Sequence, residues 1–322
     1  MTAPPPDLQA WVTETIGGEA AWEPHPASGR SRLIWVVRPA SSPDRPLLLR
    51  AETGLGPFAG TEFTLAREAA VLRALAGTGV PVPAVHGDGD GHVLMDLVAG
   101  DVDLDLSTDA GLVTLASYCR VLATLHRLDP PPGPLPHPAS AADHALLDLA
   151  AHRRSYGLCS PNPIAEEAFA WLNEHAPTSA DRTSLLHGDA GPGNFLHSGG
   201  AITGLIDWEM AHVGDPMDDL AWLWFRVTVL GAGGGAGMDG LRQAFHAYAE
   251  ASGDRLDHNR VNFYCLVVLL RCLVATLVRQ RNNPGHTTEP VDRMTRLVGL
   301  ALDSQRRTGR VGGDGPLAPL PG

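Results

Sequence analysis

Apolar residues fall in short runs over the first third of the chain and in longer helical periods over the rest. Leu33-Ile34-Trp35-Val36-Val37 and Leu47-Leu48-Leu49 are brief, partly β-branched runs separated by Pro, Ser and Asp, which predicts two adjacent strands and a loop. Thr61 to Ala76 carries Phe63, Ala66, Ala70, Leu72 and Leu75 near helical spacing, with Thr61 as the expected cap and Gly77 as the stop. Val80-Pro81-Val82-Pro83 forces extended chain, and His92 to Val98 reads as a further strand. Helices are expected over 109–128, 164–175, 216–229, 241–251, 257–280 and 289–306, punctuated by a proline-rich connector at 130–138 and a glycine-rich loop at 231–237. Residues 1–8 and 309–322, rich in Pro and Gly, are expected to be frayed tails. The pattern is α+β: a small sheet-plus-helix lobe over 1–98, a hinge near 98, a helical lobe over 99–308 and a tail over 309–322.

Composition narrows the function. The 322 residues carry a formal net charge of -12, which argues against a nucleic-acid partner, because phosphate backbones need clustered positive charge. All 24 basic residues are arginine, so any step that needs a cationic side chain must use arginine or histidine. Cys119, Cys159, Cys265 and Cys272 form no CxxC pair, and Cys265 and Cys272, seven apart in a helical apolar run, read as small buried hydrophobes, so a reducing compartment is expected. Met1 to Pro6 lacks the basic and apolar regions of a signal peptide. Phe263 to Val278 is shorter than a bilayer span and interrupted by Arg271, which at mid-membrane would cost about 2.5–3.5 kcal/mol. A cytoplasmic protein with no membrane partner is expected.

The chemistry concentrates in Leu185 to Phe225. Phe195-Leu196-His197 and Ala201 to Ile206, joined by Ser198-Gly199-Gly200, read as a hairpin, which brings Asn194 at its start near Asp207 at its end. Asp189 precedes Asn194 by five residues on a loop containing Gly191, Pro192 and Gly193, so three oxygen-bearing side chains converge. Oxygen donors without thiolates suit Mg²⁺, and phosphoryl transfer asks for a metal clamp, an in-line nucleophile and a proton acceptor. Asp-x-x-x-x-Asn followed by an Asp beyond a hairpin is the spacing of kinase catalytic loops.

Leu-Leu-His-Gly-Asp at 185–189, Asn194, Ile-Asp-Trp-Glu at 206–209 and Gly-Asp-Pro-Met-Asp-Asp-Leu-Ala at 214–221 resemble the catalytic segment of the aminoglycoside phosphotransferase and choline kinase superfamily. Val80-Pro81-Val82-Pro83 and Leu122 to Asp129 place the resemblance near the branch of kinase-like domains joined to acyl-CoA dehydrogenases, and it spans roughly residues 25 to 280. It implies a protein-kinase-like two-lobed fold, with a small antiparallel-sheet N-lobe and a larger helical C-lobe. It implies transfer of the γ-phosphoryl of ATP or GTP to a small-molecule hydroxyl acceptor.

By that resemblance Asp189 is the catalytic base, His187 braces its loop, and Asn194 and Asp207 hold Mg²⁺. Asp215 would help to hold the catalytic loop and start the next helix. Ser28, Gly29 and Ser31 would cover the phosphates, Arg50 would replace the usual phosphate lysine with Glu68 as its partner, and Asp96 to Val98 would read the base. Asp101, Asp103 and Asp105 could face a cationic acceptor or form a solvated linker. Two other readings stay open: a nucleotide-binding pseudokinase, and a metal-dependent hydrolase using His187, Asp189, Asp207 and His212.

Overall fold

In the computed structural model of the chain, residues 3–29, 32–131, 135–139, 143–231, 237–285 and 287–311 are described. They form two lobes. The first is an antiparallel sheet of β1 (Ala20–Pro24), β2 (Arg32–Pro39), β3 (Leu47–Glu52), β4 (Val85–Gly89) and β5 (His92–Asp96), in the order β1-β2-β3-β5-β4. Alternation along the strands gives the sheet two apolar faces. Trp35, Val37, Leu47, Leu49 and Leu94 form one small core with Val12 of α1 (Pro6–Ile16), and Leu8, Trp11 and Ile16 pack against it. Val93, Met95 and, partly buried, Leu48 belong to the main core with Leu65, Ala69 and Leu72 of α2 (Leu65–Leu75). Arg50 shares this second face, two positions beyond Leu48 on β3.

The larger lobe holds α3 (Asp109–His126), α4 (Asp143–Tyr156), α5 (Pro163–Glu174), α6 (Met217–Trp224), α7 (Gly237–Ser252), α8 (His258–Asn282) and α9 (Glu289–Thr308). Among them lie two short strand pairs: β6 (Ser184–Leu186) with β9 (His212–Gly214), and β7 (Phe195–Ser198) with β8 (Ala201–Leu205). The lobes are stitched by the Arg67 guanidinium, which donates to the Ala211 carbonyl, and by Leu205 N–H donating to the Pro81 carbonyl at 2.7 Å.

Several expectations need correction. Residues 6–8 are not frayed: Pro6 opens α1 at a position where its missing N–H is harmless, and Leu8 packs on the sheet. Thr64, not Thr61, caps α2, its hydroxyl accepting Arg67 N–H at 3.2 Å, while Thr61 closes the preceding turn onto Phe58. At the other end Val311 is buried and donates to the Asn262 side chain at 3.1 Å, so the chain stays docked through 311; residues 312–322 lie outside the described ones. The apolar run around Arg271 belongs to α8, which with 25 residues is long and apolar enough to cross a bilayer but is mostly buried in the protein.

Arg271 is reconciled with that core by an ion network. Its Nε donates to Asp148 at 2.8 Å, and Nη1 and Nη2 donate to the two Asp218 oxygens at 2.7 and 2.6 Å, tying α8 to α4 and α6. His212 joins them, donating from Nε2 to Asp218 at 3.1 Å and from Nδ1 to the Met210 carbonyl at 3.1 Å, a pattern that needs both ring protons. Burial alone would lower the His212 pKa, but the carboxylates of Asp148 and Asp218 overcome it and raise it.

Removing one partner of such a network leaves buried charge uncompensated. Arg271→Ala is expected to lower stability in urea unfolding by about 3–5 kcal/mol. Because the folded pKa of His212 is raised, its contribution is fully present below its unfolded value of about 6.5 and is lost as pH rises through the folded value. His212→Asn should therefore flatten the alkaline fall in stability, measured as urea midpoints across pH 6 to 9.

Candidate functional site

The loop after β6 carries His187, Gly188 and Asp189. Gly188 sits at φ +81, and a Cβ there would meet the Met210 carbonyl oxygen at 2.0 Å, so backbone and side-chain space both require glycine. The His187 ring joins this loop to the strand leading to Asp207: Nε2 donates to the Ile206 carbonyl at 2.9 Å and Nδ1 accepts Asp189 N–H at 3.3 Å. Burial lowers its pKa, in keeping with a neutral ring that donates from one nitrogen and accepts at the other.

Beneath the loop, Asp219 on α6 accepts His187 N–H at 2.8 Å and Gly188 N–H at 2.9 Å. It also accepts Nε2–H of His126 at 3.0 Å, and Nδ1 of His126 accepts the Tyr248 hydroxyl at 2.8 Å. Burial would raise the Asp219 pKa, but these donors win and it lies below the usual carboxylate range. Asp219 thus does what the sequence pointed to for Asp215. Asp215 does start the next helix, as expected, accepting Met217 N–H at 3.1 Å at the opening of α6, and lies 3.0 Å from Arg260 Nε. The sequence carried a signal for His126, in the Leu-His of its Leu122–Asp129 motif.

Asn194 donates from its amide to both the Asp189 carbonyl, at 2.7 Å, and the Asp189 carboxylate, at 2.8 Å, which turns its amide oxygen away from Asp189. Its backbone carbonyl accepts Ile206 N–H at 3.0 Å, so the hairpin places Asn194 beside Asp207. Asp207 has left-handed backbone, φ 68 and ψ 59, alone among described non-glycine residues. Arg50 joins the lobes here: Nη1 donates to both Glu68 oxygens at 2.6 and 2.7 Å, and Nη2 to Asp207 Oδ1 at 2.8 Å. Against the penalty of burial, Arg50 holds the Asp207 carboxyl below its ordinary value.

Two arginines escaped sequence reasoning, because their partners are remote in the chain. Arg32, at the start of β2, pairs with Glu209, whose pKa burial and the nearby Asp207 charge push up to about 8. Arg226 pairs with both oxygens of Asp189. Burial raises the Asp189 pKa and Arg226 partly offsets the rise.

Other predicted residues take plainer places. The Ser28 hydroxyl accepts Ile34 N–H at 2.9 Å and Gly29 N–H donates to the Arg32 carbonyl at 2.8 Å, closing the β1–β2 turn; Ser31 lies outside the described residues. Asp96 N–H and Leu97 N–H are bonded to the Ala84 and Pro46 carbonyls. The Asp96 side chain holds His86 at 2.7 Å, and Val98 packs against Gly204. Asp101 pairs with β7 through its backbone, Asp103 O accepts the His197 ring, and Asp105 folds onto Ser107, so the acidic run is a tethered linker. The four hydrolase ligands do not form one set, since the ring nitrogens of His187 and of His212 are each engaged elsewhere.

Residues 28–257, more than half of the chain, match the model of the Phosphotransferase enzyme family. The chain belongs to that family. The chain is similar to proteins of several descriptions. Acyl-CoA dehydrogenase family member 10 of Mus musculus is 27% identical over 210 residues, which is 60% of this chain and 19% of that protein. The chain therefore spans about a fifth of that curated relative. A solved protein of Ralstonia eutropha, described as a candidate aminoglycoside phosphotransferase, is 21% identical, with a TM-score of 0.69 over 93% of this chain and 97% of its own. A thermostable mutant of aminoglycoside phosphotransferase APH(4)-Ia, solved with ADP and hygromycin B, is 18% identical with a TM-score of 0.63, covering 94% of this chain and all of that one. At such identities these structures establish the two-lobed kinase-like fold.

Asp219→Ala should strip the loop of its anchor. Stability is expected to fall by about 2 kcal/mol or more, since buried donors lose a charged acceptor. The amides of His187 and Gly188 should lose hydrogen-exchange protection ahead of the rest of the helical lobe.

Proposed function

We propose that this phosphotransferase is a kinase that uses Mg²⁺ and ATP (or GTP) to phosphorylate a hydroxyl of a small molecule, with its lobes meeting at residue 98. The observation that carries this reading is the convergence of Asp189, Asn194 and Asp207 on one rim, directly beneath the Arg50–Glu68 pair. The donor set fits magnesium: hard oxygens from an amide and a carboxylate, with no thiolate or imidazole among them. Asn194 and Asp207 would hold the ion, which would supply positive charge to screen the phosphates. Asp189 accepts the proton of the acceptor hydroxyl, while His187 and Asp219 keep its loop still. Arg50 meets the phosphates, where a guanidinium forks onto two oxygens and stays charged. The turn at Ser28 and Gly29 covers them. With Asp96 and Leu97 N–H already bonded, Val98 supplies the backbone N–H for the base. The free cysteines suit a reducing cytoplasm.

MgATP at 100 times its dissociation constant should add about 2.7 kcal/mol of stability, and a thermal melt with and without Mg²⁺ reads it directly. No shift with MgATP or MgGTP would overturn the reading. Asp189→Ala is expected to abolish turnover while nucleotide binding persists; Asp207→Ala should weaken binding of the magnesium nucleotide. Loss of both together in Asp189→Ala, or undiminished affinity in Asp207→Ala, would refute the assigned roles.

A further inference from the structure

α6 does not end as an α-helix. From Phe225 to Val229 it widens into a π-helical turn, closed by Leu230 N–H donating to the Phe225 carbonyl at 3.1 Å. The extra residue in such a turn disturbs the regular ladder, and these turns often sit at functional sites. Here it delivers Arg226 to the loop after β6. Arg226 Nε donates to Asp189 Oδ1 at 3.0 Å, Nη2 donates to Oδ2, and Nη1 donates to the Pro192 carbonyl at 3.0 Å. The loop is shaped around that side chain. Gly191, at φ +134, would place a Cβ 3.0 Å from Arg226 Cδ, and Gly193, at φ +97, would place one 3.1 Å from Nη1. Two glycines with backbone that other residues resist thus make room for one guanidinium.

The consequence for Asp189 is geometric. Its two oxygens are held by a two-pronged guanidinium, and Oδ2 also by Asn194 at 2.8 Å, which fixes the carboxylate plane from two sides. We propose that Arg226 is the positioning residue for Asp189, setting the orientation in which the carboxylate meets the acceptor hydroxyl. This rests on the kinase reading above. In the step served, the acceptor oxygen bonds to the γ-phosphorus as the bond from that phosphorus to the β–γ bridging oxygen breaks. The nucleoside diphosphate leaves, and the hydroxyl proton passes to Asp189. Arg226 touches neither reactant and acts only through the carboxylate.

The test compares wild type with Arg226→Met, Arg226→Lys, Asp189→Asn and the Arg226→Met/Asp189→Asn double variant. Two quantities are read: MgATP affinity by calorimetry, and phosphate release from MgATP with water as the acceptor. Arg226→Met should slow release by about 10²-fold, the penalty of a misplaced reacting group, with affinity within about threefold of wild type. Arg226→Lys should regain part of the rate, and Arg226→Met should add little to the loss already caused by Asp189→Asn. A wild-type rate in Arg226→Met, an equal loss of affinity and rate, or a loss that multiplies with Asp189→Asn would overturn the proposal. Should wild-type protein bind no MgATP, the kinase reading falls by itself. In that case, or if it binds without releasing phosphate, the carboxyl ¹³C resonance of Asp189 decides. A shift in Arg226→Met that Arg226→Lys moves back supports positioning; an unmoved resonance overturns it.

Discussion

Carboxylates crowd the cleft between the lobes, and the structure depends on arginines to hold them there. Burial and the charge of Asp207 both push up the pKa values of Glu68, Asp189 and Glu209. In a chain without lysine the compensation falls to Arg50, Arg32 and Arg226. The planar fork matters. Arg50 grips both oxygens of Glu68 with one arm and Asp207 with the other, a span that suits a guanidinium better than a compact ammonium. Arginine is therefore the element that lets the acidic cleft fold.

Much of the architecture could be read from the chain, and the exceptions share physical causes. The long helices and the hairpin announced themselves by period and turn residues. α1 was obscured by three leading prolines, although Leu8, Trp11, Val12 and Ile16 already lay on one face. β4 reads as loop because it holds two glycines; one of them, Gly87, leaves room for Trp11, whose ring a Cβ would meet at 3.1 Å. α4 was missed for a different reason. Its inward face carries His144, Asp148, His152 and Ser155, so the apolar period fails where the buried ion network replaces it. In the site, Asp189, Asn194 and Asp207 were legible because their spacing is local. Arg226 and Arg32 act across 37 and 177 positions, and no local pattern reports such pairs.

The loop after β6 and the Asp207 turn are not independent of the small lobe. Asp207 keeps a left-handed backbone that costs about 1–3 kcal/mol in a residue with a side chain, and such strain persists only where its surroundings over-determine it. The surroundings here are specific. The next residue, Trp208, is fully buried, with its ring N–H on the Leu205 carbonyl at 3.0 Å and its backbone N–H on Glu68 at 3.2 Å. Glu68 is thus shared: the same carboxylate steadies Arg50 and the turn that bends Asp207 into the cleft. A displacement of α2 would release both at once, loosening Arg50 from Asp207 and relaxing the strained aspartate together. One carboxylate on α2 couples the position of the small lobe to the geometry of the site in the large one.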